Sequence, residues 1–309
     1  MTQAGRVASN FWPENGAVFD LSSRAKLRVV GSDRLRYLNG QVTNDVRKAT
    51  ETGAIHACVL NAKGKIDAEV FIAIDDDAFL VDSAPGTAAQ LSTRLDRYII
   101  ADDVQVEDAT DEFALFHLIG CDPPALSMTA KLRQSARFDT TGTDVWLNRS
   151  DREAGLEELS QIAPVCDETC AEIFRVERGL PRWGFELTDA IIPTEANLEE
   201  LAIDFAKGCY IGQEVISRIK MSGQTNKRLC GLVTESDGLR NGMRLIGADE
   251  KDVGWITSTA MSERLGKRIA LGFVKRGFQE SGTRLRASAP EVASGLAPAE
   301  VTIVPLPFA

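Results

Sequence analysis

The chain has 309 residues, a formal net charge of −10, and 44% hydrophobic against 26% charged residues. That length exceeds one small compact domain and predicts two or three cores in a globular protein of ordinary composition. Acidic charge spread along the whole chain excludes a general electrostatic grip on nucleic acid or anionic lipid. No run approaches the length that crosses a bilayer, and residues 1–6 lead into no apolar signal core, which predicts a cytoplasmic protein without a membrane partner.

The first predicted element is a strand at 26–30, followed by a short helix at 33–38 capped by Ser32 and stopped at Asn39-Gly40. Residues 41–46, Gln-Val-Thr-Asn-Asp-Val, are too polar for simple core and either line a ligand cleft or form a hydrogen-bonded turn. From Ala54 the pattern is extended, with runs at 54–60, 66–74 and 79–81 parted by turns at 61–64 and 75–77, which is a β-meander. An amphipathic helix carrying Leu91, Leu95 and Tyr98 follows, then strands near 104–106 and 113–119. Next come a short helix at 125–132, a strand at 144–147, a charged helix at 151–160 and a helix at 167–178. Pro181 and Pro193 flank a shaped loop carrying Trp183 and Glu195. Beyond Gly223, short runs at 228–233, 243–246, 253–259, 268–274, 283–287 and 300–304 predict a small β-barrel or sandwich. Strands mixed with hairpins and helices, without strict alternation, indicate an α+β fold with antiparallel sheets.

Six cysteines are scattered through the chain and are expected to be reduced. Cys166 and Cys170 fall on one face of a predicted helix and read as two buried small residues. No third cysteine completes a cluster-binding set, and with only His56 and His117 no metal centre is expected.

The chemistry concentrates in Lys207-Gly208-Cys209-Tyr210-Ile211-Gly212-Gln213-Glu214. Val215, Ile216 and Ile219 recur behind it at helical spacing, so a helix is expected to start at about Gly212. A thiol ahead of a helix start, beside Lys207, is favoured as thiolate and could attack an electrophile, hold a metal transiently or exchange electrons. The plainer reading is a thiol packed behind the helix start. Glu195 offers two acceptor oxygens to a planar donor array such as a pterin, or is simply an N-terminal helix carboxylate. Asp67 is either a second reactive carboxylate or a solvated strand residue. Arg218, Lys220, Lys227 and Arg228 are a basic run that an acidic ligand tail would want, or a solvated face.

These motifs together resemble the YgfZ-type folate-binding proteins, relatives of the glycine-cleavage T-protein, an aminomethyltransferase. The resemblance covers nearly the whole chain and rests on residues 37–45, 61–65, 178–184, 193–196 and, most specifically, 207–214. It implies two mixed antiparallel-sheet α+β subdomains plus a C-terminal β-barrel, in a ring around a channel for tetrahydrofolate or a derivative. The implied division is 1–225 for the folate-binding region, its inner subdomain at about 50–104, and 226–309 for the barrel. The implied role is assembly or repair of iron–sulfur clusters in client enzymes, including tRNA-modifying ones, with Cys209 as working thiol. Folate would meet Glu195, Asn44, Trp183 and Arg218. T-proteins carry paired aspartates where this chain has Asp67-Ala68, and they lack the Lys-Gly-Cys-Tyr motif. The alternative is a folate-dependent aminomethyl or one-carbon transferase using Asp67.

Overall fold

The computed structural model describes residues 16–289 and 298–308; the N-terminal stretch read as lacking a signal core lies outside them. The chain divides into two compact units, Met1–Asp167 with Glu199–Ser217, and Glu168–Leu198 with Arg218–Ala309. Residues 168–198 therefore group with the barrel.

The first unit holds β1 (Ala17–Asp20), β2 (Arg24–Val30), α1 (Arg34–Gln41), β3 (Ile55–Leu60), β4 (Ile66–Asp75), β5 (Ala78–Pro85), α2 (Ala88–Asp96) and β6 (Gln105–Asp108). It continues through β7 (Phe113–Ile119), β8 (Lys131–Ser135), β9 (Gly142–Asn148), α3 (Arg152–Ser160) and β10 (Val165–Cys166). These strands form two five-stranded sheets, ordered β3-β4-β5-β2-β6 and β10-β1-β7-β9-β8.

Side chains alternate across a strand, so each strand of the meander serves two faces. Ala57, Val59, Ala68, Val70, Ile72, Val81, Leu27 and Val29 share one buried face with Tyr37 and Leu38 of α1 and Leu91 and Leu95 of α2. The alternate positions build a row of cross-strand neighbours of another kind: His56 opposite Phe71, Phe71 opposite Asp82, Asp82 opposite Lys26. Arg137, in the turn between β8 and β9, joins the two sheets by binding Asp82 and Asp144, each through both carboxylate oxygens or their paired nitrogens, at 2.7–2.9 Å. Burial alone would raise the Asp144 carboxyl, but Arg137 and His117 outweigh it and hold the group well below the usual range.

The second unit holds α4 (Glu168–Glu177) and six strands, β11 (Lys227–Thr234), β12 (Arg244–Ile246), β13 (Asp252–Ser262), β14 (Lys267–Lys275), β15 (Arg284–Ser288) and β16 (Ala299–Val304). They close as β11-β14-β13-β12-β15-β16. Leu285, Ala287, Ala299, Val301 and Ile303 send alternate side chains into its core, and closure leaves no strand edge open.

Four expectations need correction. Residues 125–132 form no helix: Pro123-Pro124 opens the segment, Leu126, Met128 and Ala130 pack on the core at a period of two, and Lys131 already belongs to β8. Ser32 does not cap α1, because its hydroxyl donates to Asp103 and the cap position is Asp33. β1 and β10 are additional strands, too short to carry a pattern of their own. Cys166 and Cys170 do not share a helix face as thiols; Cys166 ends β10, Cys170 lies in α4, and both are disulfide-bonded, while Cys58, Cys121, Cys209 and Cys230 are free.

Candidate functional site

The 207–214 motif runs into α5-flanked and helical surroundings in the first unit: α5 (Glu199–Ala202) precedes it, and α6 (Gln213–Ser222) begins at its end. Gly212 sits at φ +85, where a Cβ would lie 2.7 Å from the Asn61 carbonyl oxygen and 3.2 Å from Gly64 Cα. Gly64, at φ +71, is closed from the other side, since its Cβ would lie 2.8 Å from Val215 Cβ. Two glycine-bearing motifs far apart in sequence therefore dock backbone to backbone. Ile211 N–H donates to the Gly40 carbonyl at 3.2 Å and adds the C-terminal end of α1 to the contact.

Lys207 fastens the loop from below. Its ammonium, on a side chain only 5% exposed, donates to the carbonyls of Asn39, Val42 and Asn44, each at 2.7 Å. Three donors meet three acceptors, which satisfies the group fully. Burial lowers its pKa to about 8, against the opposing pull of Asp45 and Asp204. The sequence reading made Lys207 a cation for the thiol; the structure gives its charge to three backbone oxygens. Tyr210 is buried under the Lys207 ammonium at 5.3 Å, and burial pushes its phenol up to about 12. Gly208, Cys209 and Glu214 are exposed, so a free thiol stands out on a loop whose neighbours are anchored. Glu214 lies in the first turn of α6, where a carboxylate suits the helix dipole, and Gln213 opens that helix.

Asp67 and Asn44 join the same assembly. Asp67 accepts from Arg94 Nε at 2.7 Å and from Asn61 Nδ2 at 3.4 Å. The same Arg94 donates to Gln41 Oε1 and the Leu60 carbonyl and lies over the Tyr98 ring. Asp67 is thus tied to a buried guanidinium rather than solvated. Asn44 donates to the His56 carbonyl at 2.9 Å and accepts from Asp45 N–H, so its amide organises the turn of residues 43–46.

One pair escaped the sequence reading. His56 Nε2 lies 2.8 Å from Glu69 Oε1, with His56 stacked flat on Phe71 at 4.5 Å. Burial works against the Glu69 charge, but the His56 hydrogen bond together with the charges of His56 and Arg24 outweighs it and the carboxyl is lowered. Only the strand register puts these residues together; the alternation of β3 and β4 hinted at a shared face but not at a pair.

Glu195, Trp183 and Arg218 belong to the second unit. Glu195 is 4% exposed and lies within a short helix, Pro193–Ala196. Its Oε2 accepts from Ile192 N–H at 3.0 Å and its Oε1 from Lys227 Nζ at 2.9 Å. Arg228 donates to Asn197, whose own amide reaches the Leu229 carbonyl, so two members of the basic run stitch this loop to β11. Trp183 is half-buried in a tight turn held by Arg182, and Glu186 beneath it is bonded to Arg175 and Ser258. Arg218 is exposed on α6. The first unit brings together 207–214, Asn44 and Asp67; the other three predicted residues form no such group in the bonds described.

Among the described residues, no group of three or more metal-ligating side chains could hold an ion, and no helix is long and apolar enough to cross a membrane.

Residues 11–146 match the GCVT N-terminal domain, and residues 227–309 match the glycine cleavage T-protein C-terminal barrel domain. An aminomethyltransferase of Saccharopolyspora erythraea is 25% identical over 320 residues, covering 93% of this chain and 86% of that protein. The glycine cleavage system aminomethyltransferase T from Bartonella henselae superposes with a TM-score of 0.80 at 16% identity, over 96% of this chain and 86% of that one. The likeness establishes the fold: mixed α+β sheets followed by a closed six-stranded barrel.

Proposed function

From the premise that this chain carries both domains of the glycine cleavage T-protein family, we propose that it binds tetrahydrofolate or a derivative. We further propose that it supports assembly or repair of iron–sulfur clusters in client enzymes, tRNA-modifying ones among them, with Cys209 as the working thiol. The observation that carries this reading is the exposed, free Cys209 on a loop fastened by Lys207, Tyr210 and Gly212. A thiol kept accessible on a rigid base suits contact with a second protein, and as thiolate it can ligate iron.

A pterin with an acidic tail calls for a carboxylate acceptor, an aromatic face and a cation, and the second unit carries one residue of each kind. Glu195, oriented on both oxygens by Ile192 N–H and Lys227, is a fixed acceptor for a planar donor edge. Trp183 offers a ring for stacking and Arg218 a cation for a carboxylate tail; Asn44 belongs to the first unit and is proposed separately as a polar contact. When bound, tetrahydrofolate supplies a carrier for one-carbon units.

The test is replacement of Cys209 by Ser in cells that lack the native protein. Loss of cluster-dependent enzyme activity is expected; full support by Cys209→Ser would remove the thiol from the function. A folate-dependent aminomethyl or one-carbon transferase is the second reading, favoured by the relative named as an aminomethyltransferase. Against it stands the ion pair that occupies Asp67 with Arg94. Aminomethyl transfer to tetrahydrofolate by purified protein, abolished in Asp67→Asn, would put that reading first.

A further inference from the structure

We infer that His56, oriented by Glu69, is a hydrogen-bond acceptor for a ligand N–H on the polar face of the meander; the nature of that ligand rests on the folate reading above. A carboxylate can only accept, so the 2.8 Å contact puts the proton of the neutral ring on Nε2 and leaves the lone pair on Nδ1. That nitrogen has no hydrogen-bond partner among the described residues, and it is not among the buried polar atoms sealed without one. His56 keeps 11% of its side chain exposed, and Glu69 keeps 16%.

The ring is held in place on three sides. Phe71 stacks on its face at an interplanar angle of 5°, Glu69 fixes one edge, and Asn44 holds its backbone carbonyl. Asn44 in turn is bound through its carbonyl to Lys207, so the histidine and the thiol loop share one hydrogen-bonded support. Asp67 lies on the same face of β4 as Glu69, two residues along. The other charged or titratable groups of this face include Cys58 on β3, Asp82 on β5, Arg24, Lys26 and Arg28 on β2, Glu107 opposite Arg28 on β6, and Arg137, whose guanidinium lies 4.3 Å over Phe71. The second histidine shows the contrast: His117 bonds Asp144 through Nδ1, and its Nε2 is buried without a partner. A ring bound at one nitrogen and open at the other is arranged to receive a donor. The ligand class that fits is a heterocycle or amine presenting N–H, as a reduced pterin does.

The experiment is calorimetric titration of the full chain with tetrahydrofolate at about pH 7.5. His56→Asn, which puts a carbonyl oxygen near the place of Nδ1, should keep the affinity within about twofold of wild type. His56→Phe, which keeps the stack on Phe71, should bind about tenfold more weakly. Full-strength binding by His56→Phe, or a loss in His56→Asn as large as in His56→Phe, overturns the role of His56 and leaves the folate reading standing. Failure of the wild-type chain to bind tetrahydrofolate overturns the folate reading itself, and the ligand assigned to His56 with it.

Discussion

Two lysines, Lys207 buried and Lys227 half-buried, hold the two candidate loops of this molecule, and they do it by different chemistry. Lys207 gives its ammonium to three neutral backbone carbonyls, whereas Lys227 meets the charged carboxylate of Glu195. A carbonyl cage satisfies every N–H but brings no opposing charge, so the desolvation of the cation is felt as a lowered pKa. A carboxylate partner brings the charge, but it is a side chain that can be exchanged together with the lysine. The lesson is that the first fastening is written into the backbone and the second into a pair.

Substitution tests this difference most strongly. Lys207→Met should cost about 3 kcal/mol in chemical denaturation, since three buried carbonyls lose their donors, and no second substitution can remove those acceptors. Lys227→Met should cost about 2 kcal/mol, less than for a fully buried pair because Lys227 is one-fifth exposed. Adding Glu195→Met should recover most of that loss; equal recovery for both lysines, or for neither, would break the distinction.

The pH dependence sharpens the same contrast. The folded pKa of Lys207 lies at about 8, below the unfolded value of 10.5, so its charged form is penalised in the folded state. The penalty is full below pH 8 and is relieved as pH rises from 8 to 10.5, making a positive contribution to the slope of stability. Lys26, lowered to about 8 in the same way, contributes with the same sign. Measured by denaturation at about pH 8 and pH 10, wild type should gain about 1 kcal/mol more than Lys207→Met over that interval. The smallest effect belongs to the thiol: Cys209→Ser should change stability by less than about 0.5 kcal/mol, as expected of an exposed residue outside the fastening.

The elements legible in the sequence were those whose reason is local. The meander and the barrel strands declare themselves by alternation and glycine turns, and the 207–214 motif by a residue mixture that ordinary core does not need. What stayed hidden depends on register or on backbone. His56 and Glu69 meet only because β3 and β4 pair with Cys58 opposite Glu69. The partners of Lys207 are carbonyls, which every residue has, so no side-chain pattern could announce them. Residues 125–132 have a helical look in composition, yet their period-two packing depends on the core they meet. Asp67 looked solvated because Arg94 lies on another element, α2.

The meeting of Gly212 and Gly64 carries a consequence for how this chain can vary. A methyl group at either position would push the thiol loop off the β3–β4 turn, and once the loop is lifted a second methyl at the other position meets a contact already lost. The two costs are therefore expected to be far from additive. Neither glycine is free to drift while its partner stays, so the Asn-Ala-Lys-Gly turn and the Tyr-Ile-Gly-Gln turn behave as one unit split across the 147 intervening positions of chain between residues 64 and 212.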